Sequence, residues 1–96
     1  MLSIEEIKNI VCPLAKKYEV DRVYLFGSYA RGEATEKSDV DLCIDPGKLD
    51  GLEFCGFYVD LEEQLNCGID LLTRRQLKKR FLENIKKEEI LIYDRG

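Results

Sequence analysis

The sequence predicts an α+β domain, helices packed on a sheet, running as one unit over residues 1–96. Three observations carry that prediction. Apolar residues recur at helical spacing in some segments and alternate strictly in others. The two kinds of segment take turns along the chain, which is the pattern of a sheet covered by helices. No repeat, low-complexity tract or linker interrupts them. At 96 residues there is room for a single core and little else.

The elements follow in order. SIEEIKNIVCPLAKKYEV opens with a capping box, Ser3 with Glu6. Ile4, Ile7, Val11, Leu14 and Tyr18 then mark one helical face. Pro13 is expected to kink or divide this helix, because it lacks an N–H and its ring crowds the preceding turn. RVYLFGS reads as a buried strand ending at Gly27, and YARGEA as a short helix stopped by Gly32. DVDLCID alternates, with Asp39, Asp41 and Cys43 on one face and Val40, Leu42 and Ile44 on the other. PGKLDG is a turn. LEFCGFYVDLEEQLN carries Leu52, Cys55, Tyr58, Leu61 and Leu65 at helical spacing and ends near Asn66 to Gly68. GIDLLT is a further strand. Thr73 with Gln76 suits the cap of a last helix whose Leu77, Phe81 and Ile85 face inward, and EILIYD closes the chain as a short strand.

Composition removes several function classes. Fifteen Lys and Arg against nineteen Asp and Glu give a net charge of −4, which disfavours general nucleic-acid binding. The one basic cluster, RRQLKKR at 74–80, reads as a solvated helix face. No apolar run approaches the roughly 20 residues needed to cross a bilayer, and MLSIEEIKN lacks the pattern of a signal peptide. The expectation is a cytoplasmic protein with no membrane partner. Cys12, Cys43, Cys55 and Cys67 show no C-x-x-C pairing and are expected to be small buried hydrophobes, not zinc ligands. Histidine is absent, which excludes Ser-His-Asp and Cys-His mechanisms and the H-E-x-x-H zinc site. Catalysis must rest on carboxylates, hydroxyls, cations and bound metal.

The stretch FGSYARGEATEKSDVDL, residues 26–42, holds the candidates. A strand that turns at Gly27 into a helix leaves first-turn N–H groups unpaired, and these favour phosphate. Glycine allows close approach, and the Ser28 hydroxyl adds a donor. A plain strand–helix turn has the same appearance. Asp39 and Asp41 point the same way along their strand, about 7 Å apart at the backbone. Like charges so placed repel, and a hard divalent cation removes the conflict; simple solvation of a surface strand is the other reading. Asp70 shifts the balance. Ile69 and Leu71 put it on the opposite face of its strand, where an acidic residue is disfavoured by propensity. If that strand pairs beside residues 40–44, three carboxylates converge near the Gly-Ser turn.

Gly27-Ser28, the residues 29–38 between, Asp39-Val40-Asp41, and Asp70 on a later strand resemble the signature of the DNA polymerase β nucleotidyltransferase superfamily. The context LFGSYARGEATEKSDVDL is similar to its smallest members, the minimal nucleotidyltransferases (MNT), and the likeness spans nearly the whole chain. It implies a small polymerase β-like fold with a mixed β-sheet. It also implies roles. Ser28 and the Gly27 backbone would hold the β- and γ-phosphates of ATP; Asp39 and Asp41 would bind two Mg²⁺ ions; Asp70 would complete the site of the ion that activates the acceptor. Transfer of a nucleoside monophosphate would release pyrophosphate. Arg31 and Lys37 lie between the two motif halves and are weaker candidates for phosphate contact.

MNT proteins of this size are antitoxins paired with a HEPN-domain RNase toxin, and they transfer AMP from ATP to a toxin tyrosine. The resemblance therefore implies protein adenylylation and a hetero-oligomeric partner, with an acceptor surface that is shallow or supplied by that partner. A small-molecule nucleotidyltransferase of the aminoglycoside type and a non-catalytic partner-masking module are the alternatives. Cys67 and Gly68 stand where relatives often carry a basic residue, so a phosphate or base contact there is not expected.

Overall fold

The computed structural model describes all 96 residues. Its centre is a four-stranded mixed sheet of β1 (Arg22–Phe26), β2 (Val40–Asp45), β3 (Ile69–Thr73) and β4 (Ile90–Asp94), in the order β3-β2-β1-β4. β1 runs antiparallel to both β2 and β4, while β2 and β3 are parallel. The parallel pair needs a crossover, and α3 (Gly51–Leu65) supplies it. The other helices are α1 (Ile4–Lys17), α2 (Gly27–Arg31) and α4 (Lys79–Lys86).

The sheet has two unequal faces. Val23 and Leu25 of β1, Val40, Leu42 and Ile44 of β2, and Ile69 and Leu71 of β3 pack against Ile7, Val11 and Leu14 of α1 and Phe57, Leu61 and Leu65 of α3. This is the main core. On the other face a small cluster joins Phe26, Cys43 and Ile85 of α4, with Tyr24, Leu72 and Leu77 around it. A bulge opposite Val23 and Tyr24 turns both Ile92 and Tyr93 of the edge strand towards the main core.

Several local expectations are corrected. α1 is not divided at Pro13. Pro13 and Asn9, whose carbonyl the proline denies its helical partner, are both exposed, which leaves that side of the helix open to solvent. The Ser3–Glu6 capping box is present, but Ile4 is exposed and Ala15 is buried in its stead. In α3 the inward row is Phe57, Leu61 and Leu65, with Leu52 and Cys55 exposed. That helix is apolar nearly all round, so spacing alone leaves its rotation open. An Asp50–Glu53 capping box, within the segment expected to be a plain turn, starts it, and Asn66 in the left-handed region ends it.

Thr73 does not cap a helix. It precedes a 3-10 turn, Arg74–Gln76, without a side-chain bond, and α4 begins only at Lys79. Of its expected inward residues, Ile85 is buried, Leu77 is half-buried and Phe81 is exposed. Cys43 is buried as expected, covered by Ile85 of α4, whereas Cys55 is exposed and Cys12 and Cys67 are half-buried. Arg74 departs from the solvated cluster 74–80: it is largely buried, paired with Glu89 and stacked over the Tyr24 ring at 3.8 Å. No helix is long and apolar enough to cross a membrane.

Candidate active site

Three chain segments meet at one end of the sheet: the end of β1, the start of β2 and the start of β3. Phe26, the last residue of β1, is the register partner of Asp41, and Asp41 is the register partner of Asp70. Parallel pairing therefore sets Asp41 and Asp70 side by side on the face opposite the main core. Asp39, one pleat earlier, lies just before β2, where Val40 N–H donates to the Gly68 carbonyl at 3.0 Å.

Two glycines seat two of these carboxylates. Gly27 has φ +73° and lies so close to Asp41 that a Cβ would run into its carboxylate. A side chain at Gly68 would likewise strike the Asp39 carboxylate. The missing side chain at Gly68, where a basic residue was the family expectation, is what lets Asp39 lie against the start of β3. Gly32, φ +72°, ends α2 with its N–H on the Ser28 and Tyr29 carbonyls.

None of Asp39, Asp41 and Asp70 takes part in an ion pair. Asp39 and Asp70 are exposed and Asp41 is half-buried. Burial, followed by the charges of Asp70 and Asp39, raises the Asp41 carboxyl above its ordinary value; Arg31 opposes this and Glu88 adds to it. The same Asp39 charge, after burial, raises the Cys67 thiol. The trio is electrostatically coupled but spread: in the free chain no three acidic or thiol groups stand close enough together to hold a metal ion by themselves. An open set of unpaired carboxylate oxygens suits magnesium, which keeps waters and binds through one or two carboxylates together with substrate phosphates. A closed all-protein cage would suit calcium better.

Gly27 and Ser28 occupy the first turn of α2, as expected, and no local side chain caps that helix. The Gly27 N–H is nevertheless engaged. It donates to Glu88 Oε1 at 3.2 Å, and Arg31 Nη1 reaches both oxygens of the same carboxylate at 3.2 and 3.1 Å. Sequence reasoning missed Glu88, since it lies 61 positions from Gly27 and no local pattern marks it. Arg31 is thus tied to Glu88 and Glu33, whereas Lys37 is an exposed loop residue with no ion pair. The two clefts on the surface have other walls. One, about 310 Å³, lies at the far end of the sheet between Pro46 and Thr73. The second, about 480 Å³, runs past Tyr29, Ser38 and Cys67 without including the trio. Asp39, Asp41 and Asp70 line neither cleft.

Comparison with known proteins gives the family and the fold. A Thermococcus cleftensis protein named protein adenylyltransferase MntA is 33% identical over 97 residues, covering 96% of this chain and 98% of that one. Among solved structures, a toxin–antitoxin complex with AMP-PNP superposes with a TM-score of 0.77 at 22% identity, covering 95% of this chain and 74% of its own. A tri-AMPylated Shewanella oneidensis HEPN toxin in complex with MNT antitoxin gives a TM-score of 0.73 at 18% identity, covering 94% and 71%. These two establish the likeness of fold. The family model for polymerase beta nucleotidyltransferases matches residues 5–96, and the chain belongs to that nucleotidyltransferase family.

Proposed function

We propose that this nucleotidyltransferase is an antitoxin-type protein adenylyltransferase, which moves AMP from ATP to a tyrosine of a HEPN-domain RNase toxin with two magnesium ions and releases pyrophosphate. The observation that carries the reading is the unpaired trio Asp39, Asp41 and Asp70, gathered beside the Gly27–Ser28 turn. Coverage of almost the full length of a relative named protein adenylyltransferase supports the choice of a protein acceptor.

In this reading Asp39 and Asp41 hold the ions, and Asp70 completes the site on the acceptor side. Bound magnesium neutralises phosphate charge and acidifies the attacking hydroxyl. Ser28 donates to the phosphates from the first turn of α2, whose remaining free N–H groups face the same charge. The tyrosine oxygen forms its bond to the α-phosphorus as the bond from that phosphorus to the oxygen leaving with pyrophosphate breaks, and the phenolic proton passes to solvent. Positioning and charge stabilisation supply the rate, since the protein forms no covalent bond. The open trio leaves the acceptor to be presented by a partner surface.

The test is incubation with Mg²⁺, α-labelled ATP and the candidate toxin. Label is expected on a toxin tyrosine, and Asp39→Ala or Asp41→Ala should abolish it. Toxin inhibition that persists without label would favour a masking module, and label only on an amino-sugar would favour the small-molecule enzyme.

A further inference from the structure

We propose that Glu88 is a positioning residue of the phosphate-binding turn, acting as a cap supplied from outside α2; this rests on the nucleotidyl-transfer reading above. α2 has no side-chain cap of its own, and its N-cap position is Phe26, which has no acceptor to offer. Glu88 fills that role across the sheet end. Its carboxylate takes the Gly27 N–H at 3.2 Å and grips Arg31 through both oxygens.

The turn that carries Glu88 is itself anchored. Glu88 and Glu89 N–H groups both donate to the Ile85 carbonyl, at 3.0 and 2.8 Å. Glu89 is held on the other side by Arg74, in a pair with side chains only 14% and 15% exposed. Two successive acidic residues thus reach in different directions, one to the α2 turn and one to the 3-10 turn after β3. Ile85, buried at 2% exposure, pins the same segment against Phe26 and Cys43.

The consequence is directional. Gly27 must lack a side chain to let Asp41 lie against it, and Glu88 occupies the N–H that this turn leads with. The phosphate-facing donors are then the Ser28 hydroxyl and the N–H groups that follow, not Gly27. Arg31, fixed by Glu88, keeps its charge near Asp41, where it opposes the acidic repulsion.

The experiment measures affinity for Mg²⁺·AMP-PNP by calorimetry, and thermal unfolding, for wild type, Glu88→Ala and Glu88→Gln. Glu88→Ala is expected to weaken affinity about tenfold, the scale of one lost hydrogen bond to a charged group. Glu88→Gln keeps an acceptor for the Gly27 N–H and should fall between the two. If the alanine variant does not fold, the glutamine variant alone decides. A purely structural role would lower the melting temperature while folded protein binds as wild type does, and that result overturns the proposal. Tighter binding by either variant overturns it too, since the carboxylate would then be a competitor of phosphate. A wild type with no affinity for the nucleotide refutes the nucleotidyl-transfer reading and this role with it, whereas a binding wild type matched by both variants refutes only the role of Glu88.

Discussion

Asp41 and Asp70 are register partners on parallel strands, so each carboxylate has a like charge as its immediate neighbour across the ladder. Side by side on one face, such a pair destabilises a sheet. Asp41 adds a further cost because it is half-buried and also faces Asp39. Sheets do not retain such an arrangement for stability. It fits a site whose charge is completed by a cation and a nucleotide.

Removing the Asp41 charge should therefore stabilise the free protein. The sign follows from linkage. The folded-state pKa is raised above the ordinary 3.8 by burial, Asp70 and Asp39. The penalty is absent while Asp41 is protonated in both states, and it grows as pH rises through 3.8 towards the folded value. Asp41→Asn is expected to be more resistant to urea than wild type at pH 7, with the difference fading near pH 3. Equal urea midpoints at pH 7 would contradict the assigned environment.

Gly27 and Gly32 make a matched pair, with φ +73° and +72°. Alanine at either carries the left-handed penalty of roughly 1–2 kcal/mol. Only at Gly27 does the new Cβ meet the Asp41 carboxylate; at Gly32 nothing lies within 4 Å. Gly32→Ala should lose that stability and retain nucleotide affinity. Gly27→Ala should lose more stability and bind nucleotide poorly, as read by urea unfolding and calorimetry.

How much of this was legible before the structure depended on whether the cause was local. The DVDLCID alternation and the Ile69–Asp70–Leu71 pattern placed the three aspartates on one face, because strand periodicity is a backbone property. Gly32 announced the end of α2 for the same reason. What failed was set at a distance. Cys55 is exposed and α3 presents Phe57 because the sheet selects one side of a helix whose apolar residues are spread around it. Glu88 reaches the Gly27 turn from the far end of the chain, and no spacing rule connects the two.

Thiol reactivity should divide the cysteines. Burial pushes the Cys43 thiol up to about 11, while Cys55 is exposed on α3. At pH 8 a short treatment with iodoacetamide is expected to alkylate Cys55 and spare Cys43. Mass spectrometry of the peptides reads this directly. Labelling of native Cys43 at the Cys55 rate would mean that α4 does not cover that face.

Arg74 and Glu89 form a pair with little exposure, and the Arg74 guanidinium also stacks on Tyr24. Arg74→Ala is expected to destabilise by about 2 kcal/mol, below the roughly 3–5 kcal/mol of breaking a fully buried pair. Urea unfolding checks it. A change under about 0.5 kcal/mol, the range of ordinary surface substitutions, would mean the pair does not anchor the turn before β4.

Pro13 gives a prediction of opposite sign. It sits exposed within α1 and denies Asn9 a hydrogen bond. Pro13→Ala restores the N–H and removes the ring, and should stabilise by about 1–3 kcal/mol. A fall in thermal midpoint would show that the proline has a packing role.

The most direct measurement is calorimetric titration of ATP into the protein, with Mg²⁺ and again with EDTA, for wild type and Asp39→Asn/Asp41→Asn. The account predicts binding by wild type that depends on magnesium and is lost in the double variant. Equal affinity with and without the metal, or undiminished magnesium-dependent binding by the double variant, would contradict it.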